Sequence, residues 1–184
     1  MNIKEFINKF TSLFTGFPYE WRKILKEDDR DHYYFLAYSS FFSGISFLLG
    51  ALWFTGLKVG FDFILLRSLV FALSVFAYIF IISLSMRIIT TYYHLKIQGI
   101  TAEKLVTYSS VYYLSALMSG ALLSPENYFF FVFFLAFFSA YYFYRVFHKS
   151  LEKQIIAIFS GLLLYFFHLT SYFILVNILA SLSI

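Results

Sequence analysis

The chain has 184 residues, of which 61% are hydrophobic and 13% charged, and its mean hydropathy is +0.77. These values exclude an ordinary water-soluble domain, and the length suits one membrane domain of about five 20-residue spans. The absence of cysteine excludes disulfides, thiolate metal sites and cysteine nucleophiles. The net charge of +4 indicates membrane orientation and no nucleic-acid partner, because the basic residues flank the apolar segments.

An amphipathic pattern occupies residues 1–31. Apolar residues recur there at helical spacing, and Gly16 and Pro18 interrupt the pattern. We interpret it as a cytoplasmic segment that lies in the membrane plane and binds lipid headgroups. The alternative is a helix that packs on a protein partner. The predicted anchors are Phe6, Phe10, Phe14 and Trp21, and the predicted basic contacts are Lys4, Lys9, Arg22, Lys23 and Lys26.

Residues 32–184 carry five apolar segments. The predicted spans are 33–54, 63–87, 105–123, 128–147 and 155–182. Their middles contain no Asp, Glu, Lys or Arg, each of which would cost about 2.5–3.5 kcal/mol at the centre of a span. The sequence therefore predicts an all-α, polytopic five-helix transmembrane bundle preceded by the in-plane amphipathic segment.

The distribution of Lys and Arg predicts the orientation. Six lie in the amino-terminal segment, three between the second and third spans, and three between the fourth and fifth spans. Only Lys58 and Arg67 fall on the other side. Under the positive-inside rule, the amino terminus is cytoplasmic and the carboxyl terminus is outside. We expect a multipass protein of the bacterial cytoplasmic (inner) membrane.

His168 is the most notable polar residue within a predicted span. It could relay protons or bind a metal, but the other three histidines lie near the cytoplasmic boundary. We expect a neutral histidine that is hydrogen-bonded to a neighbouring helix, with Tyr108 or Tyr112 as its partner. The alternative function is a small transporter or channel subunit with a polar path past His168 and Asn177.

No pattern of residues identifies a reaction. Carboxylate pairs within the spans, phosphate-binding glycine loops and paired metal-ligand motifs are missing from the sequence. A Gly-x-Ser triplet at Gly44 to Ser46 could serve a hydrolase only if Ser46 met His168 in a water-filled cavity. We therefore expect a non-enzymatic protein without catalytic residues, cofactor or metal.

Two stretches carry a family resemblance. FPYEWRKILKED resembles a P-x-x-W-x-x-I opening, formed here by Pro18, Trp21 and Ile24, and KIQGITAEKLVTYSSVYYLSAL leads into the third predicted span. With the order of spans, these stretches resemble the Yip domain family, five-span proteins that include Rab-interacting members in eukaryotes and small bacterial members. The resemblance implies a membrane-organising or adaptor role, with membrane lipids, a protein partner or a second copy of the chain as its partners.

Overall fold

A computed structural model describes residues 1–55, 60–92, 99–119, 125–150 and 154–181. Over these residues the chain forms helices joined by short connections, and no strand occurs among them. The all-α class is therefore confirmed. The helices are α1 (Ile3–Ile24), α2 (Asp31–Thr55), α3 (Phe61–Tyr92), α4 (Gly99–Ser109), α5 (Val111–Ser119), α6 (Pro125–Ser150) and α7 (Gln154–Ser181).

Four of these helices are long and apolar enough to cross a membrane. The qualifying segments are Asp31–Trp53, Phe61–Tyr92, Phe130–His148 and Ile156–Ile174. They coincide with the first, second, fourth and fifth predicted spans, which confirms the multipass membrane class. The third predicted span is divided between α4 and α5, which have 11 and 9 residues. Its last residues, 120–123, lie outside the described part of the chain.

The division between α4 and α5 falls at a pair of serines. The hydroxyls of Ser109 and Ser110 both donate to the carbonyl of Val106, at 3.1 and 2.8 Å. Such bonds compete with the helical hydrogen bonds of the backbone. Two backbone bonds still cross the break, from Ser110 N to Val106 O and from Leu114 N to Ser110 O. We treat α4 and α5 together as the central helix pair.

The central helix pair forms the core of the bundle. Ala102, Tyr108, Tyr113 and Leu114 on it are completely buried. The long helices around it expose large apolar side chains on their outer faces, as Trp53 does at 85% exposure. In a membrane, these outer faces are where lipid chains pack. The fold is thus a buried helix pair enclosed by α2, α3, α6 and α7, with α1 packed against the same core.

The helices α2 and α3 approach each other closely at Gly44. A Cβ atom placed on Gly44 would lie 2.8 Å from Ala72 Cβ and 3.0 Å from the carbonyl oxygen of Ser68. Both distances are too short for ordinary packing. Small residues permit this kind of backbone approach in membrane helix pairs.

We predict that Gly44→Ala forces α2 and α3 apart and destabilises the bundle by about 1–3 kcal/mol, as overpacking does in other tight cores. Gly60→Ala is the matched control, because nothing lies within 4 Å of a Cβ atom at that position. Unfolding of the two variants in detergent, followed by tryptophan fluorescence, checks the prediction. Equal stability of both variants would contradict it.

Candidate functional site

Helix α1 is held against the bundle by one apolar side. Leu13 and Ile24 are buried, and Phe6 is only 3% exposed. The Phe6 ring packs on Phe35 and Phe42 of α2, with centroid distances of 5.5 and 5.4 Å. These side chains hold the helix to protein, so they are not available to lipid.

The sequence predicted interruptions of this segment at Gly16 and Pro18. In the structure α1 (Ile3–Ile24) is kinked at Gly16, where the backbone angles are non-helical (φ −146°, ψ 29°). The helix begins with a capping box, in which Asn2 Oδ1 accepts from the Glu5 N–H at 2.9 Å and the Glu5 carboxylate accepts from the Asn2 N–H at 2.8 Å. This cap fixes the first turn of α1.

The predicted anchors occupy different environments. Phe6 is buried, Phe10 and Trp21 are partly buried, and Phe14 is 39% exposed. Among the predicted basic contacts, Lys4, Lys23 and Lys26 are exposed, whereas the Lys9 side chain is only 15% exposed. The side chain of Arg22 lies outside the described part of the structure. Phe6 and Lys9 therefore serve contacts within the protein.

A second apolar surface of α1 is partly exposed, although Ile7 lines a groove against α2 and the Phe14 ring packs on Tyr112 of α5. It consists of Ile3, Ile7 and Phe14, which are 55%, 52% and 39% exposed. At about 100° per residue, these three positions fall within about 40° of one another on the helical wheel. We call this surface the outer strip. Exposed polar residues lie beside it on the wheel, Lys4 and Thr11 among them, so the arrangement suits a boundary between hydrocarbon and headgroups.

A network of charged and polar side chains joins α1 to the central helix pair. Lys9 forms an ion pair with Glu27, and its Nζ donates to the Tyr108 hydroxyl at 2.7 Å. That hydroxyl donates in turn to Glu27 Oε2 at 3.1 Å. Lys104 Nζ donates to the Glu27 backbone oxygen and to Asp29 Oδ1, both at 2.8 Å. We call these five residues the ionic network.

The ionic network also changes the proton affinity of one exposed carboxylate. The hydrogen bond and the positive charge of Lys104 hold the pKa of Asp29 below its ordinary value. Asp29 therefore stays ionised to a lower pH than an aspartate without this partner. Both Glu27 and Asp29 thus bind lysines, one of α1 and one of α4.

A buried carboxylate, that of Glu103, lies beside the ionic network. Glu103 of α4 is 1% exposed and accepts from the Tyr33 hydroxyl at 3.0 Å. His32 Nε2 lies 3.6 Å from Glu103 Oε2, and Arg87 Nη1 lies 3.5 Å from Oε1. We call these four residues the Glu103 cluster. Arg87 is 51% exposed, so the cluster reaches the protein surface.

Sequence reasoning missed the roles of Glu103 and Lys104 because it placed both in a connection before the third span. One signal could have found them. Ala102, Leu105 and Val106 are spaced so that the apolar face of the third span begins before residue 105. The structure begins α4 at Gly99, and the two charged residues lie in its buried part.

His168 lies in a separate cluster at the centre of the bundle. Its Nε2 is 3.4 Å from Ser110 Oγ, and its ring stacks on Tyr113 with a centroid distance of 4.3 Å and an interplanar angle of 8°. The Tyr113 hydroxyl lies 2.5 Å from Ser171 Oγ, and the Tyr113 N–H donates to Ser139 Oγ at 3.0 Å. The cluster therefore joins the central helix pair to α6 and α7.

Tyr108 and Tyr112, either of which was predicted to bond to His168, have other partners in the structure. Tyr108 belongs to the ionic network, and the Tyr112 hydroxyl donates to the Phe14 carbonyl of α1 at 2.8 Å. Residues 108 and 112 share one helical face, whereas Ser110 lies about 200° from Tyr108 on the wheel. The tyrosines therefore face α1, and Ser110 and Tyr113 face α7.

Two arrangements that the alternative functions would require are not formed among the described residues. Asn177 is exposed and donates to the Phe173 carbonyl at 2.9 Å. It follows His168 by nine residues, which places it on the opposite face of α7. Ser46 donates to the carbonyl of Met118, about two turns beyond the Ser110 that contacts His168. The structure thus brings His168 together with neither Asn177 nor Ser46.

No group of three or more His, Asp or Glu residues suited to a metal occurs in the described ranges. Comparison with known protein families, characterised proteins and solved structures gives no match for this chain. The functional interpretation therefore rests on the geometry of the outer strip, the ionic network and the two buried clusters.

We predict that Lys9→Met destabilises the docking of α1 by roughly 1–3 kcal/mol, because it leaves the partly buried Glu27 carboxylate and the Tyr108 hydroxyl without their cation. The matched control is Lys23→Met on the same helix. Lys23 is 74% exposed in its pair with Glu20, so its loss should change stability by no more than about 0.5 kcal/mol.

Chemical unfolding in detergent micelles and the rate of tryptic cleavage within α1 measure this difference. Faster cleavage and a lower unfolding free energy are expected for Lys9→Met alone. Equal effects of the two substitutions would show that the ionic network does not hold α1.

Proposed function

We propose that this chain is a non-enzymatic, five-span membrane protein of the Yip type. In this proposal its amino-terminal helix lies in the cytoplasmic membrane plane and engages lipids or a protein partner, which gives the protein a membrane-organising or adaptor role. The observation that carries the proposal is the outer strip, a partly exposed apolar surface on a helix whose neighbouring side is bound to the bundle.

The geometry of the central helix pair supports five spans. Lys104 meets Asp29 near the start of α2, and Met118 meets Ser46 far along α2. The central helix pair and α2 therefore run in parallel. The 14 residues from 104 to 118 extend about 21 Å as a helix, which is most of the hydrocarbon thickness of about 30 Å. A helix pair parallel to the first span fits a third crossing between α3 and α6.

The position of α1 supports an in-plane segment. Phe6 of α1 lies level with Phe35 and Phe42, between four and eleven residues into α2. At 1.5 Å per residue, this corresponds to a depth of about 6–16 Å from the start of that helix. Interfacial helices bury their apolar side at a depth of about 5–10 Å. The outer strip would then meet lipid chains, with Lys4 near the headgroups.

The number of spans predicts the side on which each terminus lies. Because the chain has no cysteine, single cysteines at Asn2 and after Ile184 report each terminus without background. We expect a membrane-impermeant maleimide applied to intact cells to label the carboxyl-terminal cysteine and to leave the one at Asn2 unlabelled until lysis. Labelling of both or neither from outside would indicate an even number of spans.

The outer strip predicts which molecules lie against α1. A photoreactive phenylalanine analogue at Ile7 should form adducts with phospholipid or with one defined protein, and mass spectrometry identifies them. The same probe at Asn8, the neighbouring exposed position outside the strip, is the matched control and should form far fewer adducts. Phospholipid adducts support lipid engagement, and a stoichiometric protein adduct supports the adaptor role. Equal yields at both positions, or none at Ile7, would refute both.

A further inference from the structure

Three polar residues form a continuous face along the central helix pair. Glu103, Thr107 and Ser110 are spaced by four and three residues, so they lie within about 60° of one another on the helical wheel. We call this surface the polar face. All three residues are buried, and they cover about 10 Å along the helix axis.

The polar face joins the protein surface to the centre of the bundle. At one end, Glu103 lies 3.5 Å from Arg87, whose side chain is half exposed. At the other end, Ser110 Oγ lies 3.4 Å from Nε2 of His168, which is completely buried. A buried imidazole in a membrane bundle is thus connected to an exposed cation by one helical face.

Several polar atoms along this route have no hydrogen-bonding partner among the residues that the structure describes. They are Thr107 Oγ1, His168 Nδ1 and the two ring nitrogens of His32, and all of them are buried. A buried polar atom without a partner costs about 1–3 kcal/mol, and internal water is the usual way in which proteins satisfy such atoms. Because several such atoms lie along one route, we expect water molecules to occupy that route.

The groups around His168 determine how a proton could reach its ring. The titratable groups that face its ring are Tyr78 of α3 and Tyr113 of α5, and Tyr172 follows one turn later on α7. The contacts of His168 within the described residues include neither a carboxylate nor a cation. Any proton that binds His168 must therefore arrive through water, because tyrosine and serine hydroxyls are poor proton sources near neutral pH.

We propose that the polar face is a hydrated path that carries protons between the Arg87 surface and His168, which makes His168 a proton-binding site open to that surface. The path ends at His168, so it provides access and not transmembrane flux. This inference does not depend on the adaptor role or on the outer strip.

Hydrogen–deuterium exchange at the imidazole C2 position tests the proposal, because this exchange requires a protonated ring and contact with water. The full chain in lipid nanodiscs is incubated in D2O, and deuterium in the peptide that contains His168 is measured by mass spectrometry. The same peptide from protein unfolded in detergent gives the fully accessible rate. We expect measurable exchange at His168 in the folded protein.

Substitutions at Thr107 identify the route. Thr107→Val keeps the shape of the side chain and removes its hydroxyl, and we expect it to slow the exchange at His168 by about tenfold, the equivalent of one lost hydrogen bond to water. Thr107→Ser should retain the wild-type rate. Thr170→Val is the matched control, since Thr170 is an exposed threonine on the helix that carries His168.

Two results would overturn the proposal. If His168 in the folded wild-type protein shows no exchange while the unfolded protein exchanges, its site is dry. If Thr107→Val exchanges as fast as wild type, water reaches His168 by a route other than the polar face. Slower exchange in Thr107→Val with retention in Thr107→Ser and Thr170→Val supports the path.

Discussion

The whole arrangement depends on how the polar groups of the central helix pair are satisfied. In hydrocarbon, a backbone or side-chain polar group without a partner is costly, so polar residues on a buried helix need partners from its neighbours. Tyr108 and Tyr112 bind α1, Lys104 binds the connection before α2, and the Tyr113 N–H binds Ser139 of α6. Hydrogen bonds to the central helix pair thus fix the positions of the elements around it.

Helix α1 combines two kinds of interaction on one short segment. Its inner side is held by aromatic packing and by the ionic network, while the outer strip remains exposed. Lys9 is engaged within the protein, whereas Lys4, Lys23 and Lys26 are exposed among the described basic side chains of this segment. Attachment to the bundle fixes which face α1 turns outward. A freely binding amphipathic peptide has no such constraint.

Hydropathy and periodicity alone located the long spans and the break at Gly16, because those features depend on local composition. The partners of His168 depended on which face of the central helix pair meets α7, and a single-helix pattern carries no such information. The extension of α4 to Gly99 was missed for a related reason. The sequence alone indicates solvent-exposed charges at Glu103 and Lys104, because their partners come from the connection before α2, from α2 and from α3.

The docking of α1 on the central helix pair has a consequence for biogenesis. This helix is synthesised before the central helix pair, yet Tyr108 and Tyr112, which bind it, belong to that pair and are made about a hundred residues later. During translation, the nascent helix therefore has only the part of its docking surface that α2 provides until much of the chain has left the ribosome. Its apolar side must be sheltered in that interval by the bilayer surface or by the insertion machinery, so membrane targeting and final folding use the same side chains at different times.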